Sequence, residues 1–211
     1  MKRRTDPADG ITFVLASSPT ALGGAGGGIG YQGVSSSVAI EFDTYNNGAG
    51  DGARSNHISI DEAWNLSNSA LTNVYGNGSC GFAGGIPAQN SNTVPGCMSN
   101  GDLWTATIGF DGSHISVGLN DPSEGAAFTA LSNYPVDIAS LLGTSTAYVG
   151  FTSATGSGWE NHDILNWTFA DTASLPDTNA PEPTTPLLMG IGLLALLWTM
   201  RRIRHNAGLS R

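Results

Sequence analysis

Positive charge is nearly missing from the body of this chain. Seven of its eight basic residues lie at the ends, as Lys2, Arg3 and Arg4 and then Arg201, Arg202, Arg204 and Arg211. Between Thr5 and Met200 only Arg54 is basic against all 17 acidic residues, a net charge of −16. That balance excludes binding to a nucleic-acid backbone. Cysteine is scarce as well. Cys80 and Cys97 bracket a Gly/Pro/Asn-rich segment, and neither has a second Cys or a His at zinc spacing. In an oxidising compartment the two would close that segment as a disulfide. No sustained 3.6-residue periodicity precedes Thr184, which argues against a helical body. A complete signal peptide is also lacking. Lys2–Arg4 resembles the start of one, but Thr5–Gly10 is polar and the apolar run Ile11–Ala16 is too short. Residues 1–7 therefore read as a residual N-terminus.

What is present is the vocabulary of short strands and turns. Glycine is abundant at 29 residues, and charged residues make up only 12% of the chain, too little for a disordered one. Ile11–Leu15, Val38–Phe42, His57–Ile60, Leu103–Phe110, His114–Leu119, Thr146–Phe151 and Ile164–Phe169 are rich in β-branched and aromatic residues and read as strands. Asp111-Gly112 marks a hairpin between two of them. A single helical turn is expected near Val136–Leu142. The economical fold is an all-β sandwich over residues 8–170.

A separate module follows. Residues 171–183 form a polar linker ending in Pro181-Glu182-Pro183, and 184–200 form a hydrophobic segment expected to be helical. Its apolar stretch, Leu187–Met200, is 14 residues long, short against the roughly 20 of a stable membrane span. The basic tail 201–211 should stay cytoplasmic and place the β domain outside. The ordered triplet of Pro-Glu-Pro, apolar segment and basic end resembles the PEP-CTERM sorting signal of Gram-negative bacteria. That resemblance implies export, a transient inner-membrane anchor, and an exosortase-type enzyme that removes the tail. Export conflicts with the missing signal peptide, and a longer natural N-terminus would reconcile the two.

The chemistry concentrates between Val38 and His57. Alternation along Val38-Ala-Ile-Glu-Phe-Asp sends Glu41 and Asp43 to one face of a strand. Asp43, Asn47 and Asp51 recur at intervals of four along a Gly-rich loop, and His57 opens the next strand. Carboxylates gathered so closely are costly unless cations neutralise them. An imidazole among oxygens suits a transition metal, and an all-oxygen set suits calcium. Read without the rest of the set, Glu-x-Asp would be a solvated strand end and His57 a surface residue.

The full set resembles the legume (L-type) lectins, in which an Glu-Phe-Asp-Thr…Asn…Asp…His loop has this order and nearly this spacing. The resemblance implies a concanavalin-like jelly roll. It also implies a Mn2+-type ion on Glu41, Asp43, Asp51 and His57. Ca2+ would lie on Asp43, the Tyr45 carbonyl, Asn47 and Asp51, and the two ions would hold Asn47 and Asp9 to bind a sugar. Asp9, in Ala8-Asp9-Gly10 before Ile11–Leu15, matches the family's sugar-binding aspartate, which a cis peptide at Ala8–Asp9, held by the calcium site, would aim. Gly27, in Gly26-Gly27-Gly28, matches a glycine whose backbone N–H meets a sugar hydroxyl. The segment from Ala154 to Trp167 matches a loop whose positions here, Ser157 and Gly158, contribute to sugar preference. Trp159 beside them is a candidate platform for a pyranose face. His162 is read as structural and Trp167 as core. Family members carry several strands before the Ala-Asp-Gly turn, and this chain has seven residues there, so the N-terminal strands are expected to be missing.

Three readings follow. The first is an exported, non-enzymatic lectin, dependent on calcium and a transition metal, that binds carbohydrate or exopolysaccharide. The second is a structural surface or matrix protein that keeps the fold without binding sugar. The third, a glycoside hydrolase, needs a second carboxyl group across the scissile bond. The positions after Asp43 that would supply it are Tyr45 and Asn46, and neither can act as the acid.

Overall fold

The computed structural model describes residues 7–48, 56–63, 72–73, 97–123 and 126–170. Among the described residues, eight strands form two antiparallel sheets. They are β1 (Gly10–Ala16), β2 (Ser37–Asp43), β3 (His57–Glu62), β4 (Thr72–Asn73), β5 (Thr105–Phe110), β6 (His114–Asn120), β7 (Phe128–Pro135) and β8 (Tyr148–Ala154). The five-stranded sheet runs β4-β3-β2-β1-β8, and the three-stranded sheet runs β5-β6-β7. One short helix, α1 (Ile138–Leu142), lies between β7 and β8. Asp137 caps it through the Ser140 N–H, and Gly143 ends it at φ 68°.

Period-two alternation decides which side chains meet. Phe13 on β1, Val38 and Ile40 on β2 and Ile58 and Ile60 on β3 pack with Ile115, Val117 and Leu119 of β6. Val136 and Leu142 complete this core. Register aligns it, with Ile40 opposite both Phe13 and Ile60. The other face of the five-stranded sheet is covered too. Val14, Ala16 and Ala39 pack there with Tyr31 and Val34 from the β1–β2 connection.

The sequence-based expectations for β1, β2, β3, β5, β6, β8 and α1 hold to within a few residues. The strand β7 was not foreseen. Its pattern is broken by bulges against β6 and by Asn133 at φ 52°. The Asp111-Gly112 hairpin exists with a longer turn, in which the Asp111 carboxylate accepts from the Ser113 and His114 N–H groups. Two expectations need correcting. Ile164–Phe169 forms no strand, because no described residue pairs with its backbone. Trp167, expected in the core, is exposed.

The chain divides into two compact units, Met1–Leu165 and Asn166–Arg211. Of the second, only residues 166–170 are described. The hydrophobic segment 184–200 and the basic tail lie outside the described residues. Among the described residues, no helix is long and apolar enough to cross a membrane.

Candidate metal and ligand site

Register brings the first cluster together. Asp43 pairs with His57 and Glu41 with Ser59 across β2 and β3. All four side chains therefore share the face opposite Ile40 and Ile58. Glu41, Asp43 and His57 are buried, and one ligand atom from each lies within 4.8 Å of the others. His57 Nε2 stands 3.7 Å from Glu41 Oε2. Ser59 Oγ sits between two carboxylates, 2.9 Å from Glu41 Oε2 and 3.1 Å from Asp61 Oδ1.

Glu41, Asp43 and Asp61 thus bury three carboxylates on one face beside a single imidazole. Carboxylates taken out of water need a compensating charge. A mixed nitrogen and oxygen set of this kind fits a transition-metal ion. The Tyr45 N–H donates to Asp43 Oδ1 at 2.6 Å, turning the chain at the end of β2. Asn46 Oδ1 accepts from the Gly48 N–H at 2.7 Å, which tightens the loop that carries Asn47. The remaining expected ligand, Asp51, lies outside the described residues.

A second group forms beside this one, because Gly10 pairs with Asp43 at the ends of β1 and β2. The Ala8–Asp9 peptide is cis. Asp9 is buried, and its Oδ2 finds no hydrogen-bond partner among the described residues. Burial pushes the Asp9 carboxyl above the usual carboxylate range. Hydrogen bonds from the Asn47 side chain and the Gly156 amide pull the other way, and the Glu160 charge adds to the rise while His162 offsets it. Gly27 lies against Asn47, where a Cβ would fall 2.5 Å from Asn47 Nδ2. At Gly156 a Cβ would stand 3.5 Å from Asp9 Oδ2 and from Gly26 Cα. Asp9, Gly27 and Asn47 thus converge from three segments far apart in sequence.

The loop after β8 supplies the rest. Ser157 is exposed, Gly158 is buried, and Trp159 is 56% exposed, as a stacking platform would have to be. Sequence reasoning missed Gly156, Thr44 and Glu160, and left His162 with a structural role only. Thr44 donates its backbone N–H to the Asp9 carbonyl at 3.0 Å, and its hydroxyl touches both that carbonyl and the Glu160 carboxylate. Glu160 is held in turn by His162 Nε2 at 2.9 Å. The Glu-x-His spacing was the available signal. Cys97 is buried, and among the described residues no cysteine is free. Cys80 lies outside them.

These features define a class: an antiparallel β sandwich whose buried carboxylate and imidazole cluster abuts a cis aspartate turn. The legume lectin domain matches residues 1–185, and the chain belongs to that family. A PEP-CTERM protein-sorting motif matches residues 179–202. The Styphnolobium japonicum seed lectin is 29% identical over 86% of this chain and 56% of its own length. Agglutinin-2 of Cladrastis kentukea is 31% identical over 78% of this chain and 52% of its own. The basic winged bean lectin, solved with Tn-antigen, superposes with a TM-score of 0.52 at 27% identity, covering 73% of this chain and 55% of that one. The chain thus spans about half the length of these relatives.

Proposed function

We propose that the protein is an exported, non-enzymatic lectin whose carbohydrate binding depends on Ca2+ and a transition metal such as Mn2+. The observation that carries this reading is the convergence of Asp9, Gly27 and Asn47 beside the buried Glu41, Asp43 and His57 cluster. In this reading Glu41, Asp43, Asp51 and His57 hold the transition metal. Asp43, the Tyr45 carbonyl, Asn47 and Asp51 hold calcium, and the ions fix the loop that carries Asn47. Asp9 Oδ2, a buried acceptor with no partner among the described residues, then accepts a sugar hydroxyl. Gly27 admits the ligand close to the backbone, Ser157 and Gly158 line its far side, and Trp159 stacks on its apolar face. A disulfide between Cys80 and Cys97 would staple the segment between them. The sorting motif supports export, processing by an exosortase-type enzyme and display at the cell envelope, with the polysaccharide there as partner.

Calorimetry against a panel of mono- and oligosaccharides, with and without EDTA, tests the reading. The expected result is binding that EDTA abolishes and that calcium with manganese restores. Binding indifferent to EDTA, or none across the panel, would sink it. A second reading, a structural surface protein that keeps the fold without binding sugar, draws on the exposed apolar side chains Tyr148, Phe151 and Phe110. It predicts no metal uptake even at high calcium.

A further inference from the structure

The two carbonyls that flank the Asp9–Gly10 peptide are each gripped by a hydroxyl. Thr44 Oγ1, beyond the end of β2, lies 3.2 Å from the Asp9 carbonyl oxygen. Ser153 Oγ, on β8, donates to the Gly10 carbonyl at 2.8 Å. These hydroxyls come from β8 and from the residue that follows β2, the two strands that flank β1. They are joined to each other by Glu160 and His162. The Thr44 hydroxyl meets Glu160 Oε1, Glu160 Oε1 meets His162 Nε2 at 2.9 Å, and His162 Nδ1 meets Ser153 Oγ at 2.9 Å. The result is a closed ring around the aspartate turn. The Glu160 and His162 side chains are only 15% and 11% exposed, so solvent competes weakly for the bond between them, while the Ser153–His162 bond lies at the exposed end of the ring.

We infer that Glu160 and His162 are positioning residues that clamp the Asp9 turn in its ligand-binding geometry. The proton inventory of the ring supports this assignment over a catalytic one. Ser153, His162 and Glu160 have the composition of a nucleophilic triad, but the Ser153 proton is committed to the Gly10 carbonyl. Ser153 Oγ can therefore only accept from His162, which puts a proton on Nδ1. The contact between Nε2 and Oε1 needs a further proton. Thr44 Oγ1 has one proton for two acceptors, the Asp9 carbonyl and Glu160 Oε1, so its hydroxyl serves these two contacts in competition while its backbone N–H keeps the Asp9 carbonyl held. The charged groups facing the pair are each other and the Asp9 carboxylate, with Asp163 adjoining in sequence.

The effect on sugar affinity rests on the proposed lectin function, whereas the clamp itself has a readout independent of sugar. The Thr44 amide donates to the Asp9 carbonyl, so its hydrogen exchange reports the turn directly. Glu160→Ala and His162→Ala should speed that exchange about tenfold and leave the Ile40 amide unchanged. Calcium and manganese uptake should stay within about twofold in both variants. The sugar probes are methyl α-galactoside, N-acetylgalactosamine, methyl α-fucoside and methyl α-mannoside. Affinity for whichever of them the wild type binds should fall about tenfold.

Glu160→Gln is the rescue. Its amide nitrogen can donate one hydrogen to Thr44 Oγ1 and the other to a neutral His162, so exchange and affinity stay near wild type. Ser153→Ala opens only the Gly10 end and should show a smaller loss of the same kind. Thr44 exchange within twofold of wild type in both alanine variants would overturn the clamp, as would Glu160→Gln failing as badly as Glu160→Ala. A wild type that binds none of the four sugars defeats the lectin reading, while Thr44 exchange still decides the clamp.

Discussion

β2 and β5 are both short, β-branched strands, yet their surroundings differ completely. Six of the seven residues of β2 are buried, whereas five of the six residues of β5 are exposed. β2 sits in the middle of five strands with covered faces on both sides. β5 is an edge strand of the smaller sheet. A strand covered on one face can spend its other face on water. β2 has no such face, so its polar residues Glu41 and Asp43 must be matched by partners inside the protein. The place where polar groups are forced inside is where the candidate chemistry lies.

The comparison can be broken most severely at the buried polar face. Glu41→Ala and Asp43→Ala should abolish transition-metal uptake, measured by calorimetry, and sugar binding with it. On the apolar face of the same strand, Ile40→Ala should cost about 2–5 kcal/mol in denaturant unfolding and leave metal stoichiometry intact. Gly27→Val should weaken sugar binding about tenfold or more, because its Cβ would fall 2.5 Å from Asn47 Nδ2. Its thermal midpoint should fall by less than that of Ile40→Ala, since Gly27 sits in the 3-10 turn Gly26–Gly28 of the β1–β2 connection, outside the apolar core. On β5, Thr107→Ala should shift stability by less than about 0.5 kcal/mol. A large effect there would show that β5 is covered in solution.

The smallest effect is expected at the exposed β5–β6 turn. The Asp111 carboxyl is held below the usual carboxylate range, chiefly by the Ser113 N–H and then by the His114 N–H. A depressed carboxylate stabilises the fold above its unfolded titration range, and that stability is lost as pH falls through its folded value. Asp111→Asn should therefore lower stability slightly at neutral pH, with the difference from wild type vanishing as pH falls, so that the acid side of the profile becomes shallower.

The candidate metal cluster was legible because its residues fall close together, on one strand, one loop and the start of the next strand. The period-two rule alone sends Glu41 and Asp43 to one face. Ser59 and Asp61 share that face by the same rule, but nothing in a list of residues says that it is buried. β7 escaped notice because Asn133 and the bulges interrupt its alternation. Ile164–Phe169 has the composition of a strand and no ladder partner among the described residues, since composition fixes only what a segment can pair with.

By itself, the sequence determined the all-β character, the Glu41–His57 cluster and the sorting signal, because each is written in local periodicity or in an ordered run. Its resemblance to a family added the cis turn at Ala8–Asp9. Only the tertiary structure decided that Gly156 and Glu160 join Asp9, and that Thr44 and Ser153 grip the turn from opposite sides. Those contacts cross more than a hundred residues of chain between Thr44 and Glu160. They depend on β8 pairing with β1 rather than with its neighbour in sequence, and strand order of that kind is set by packing the whole sandwich.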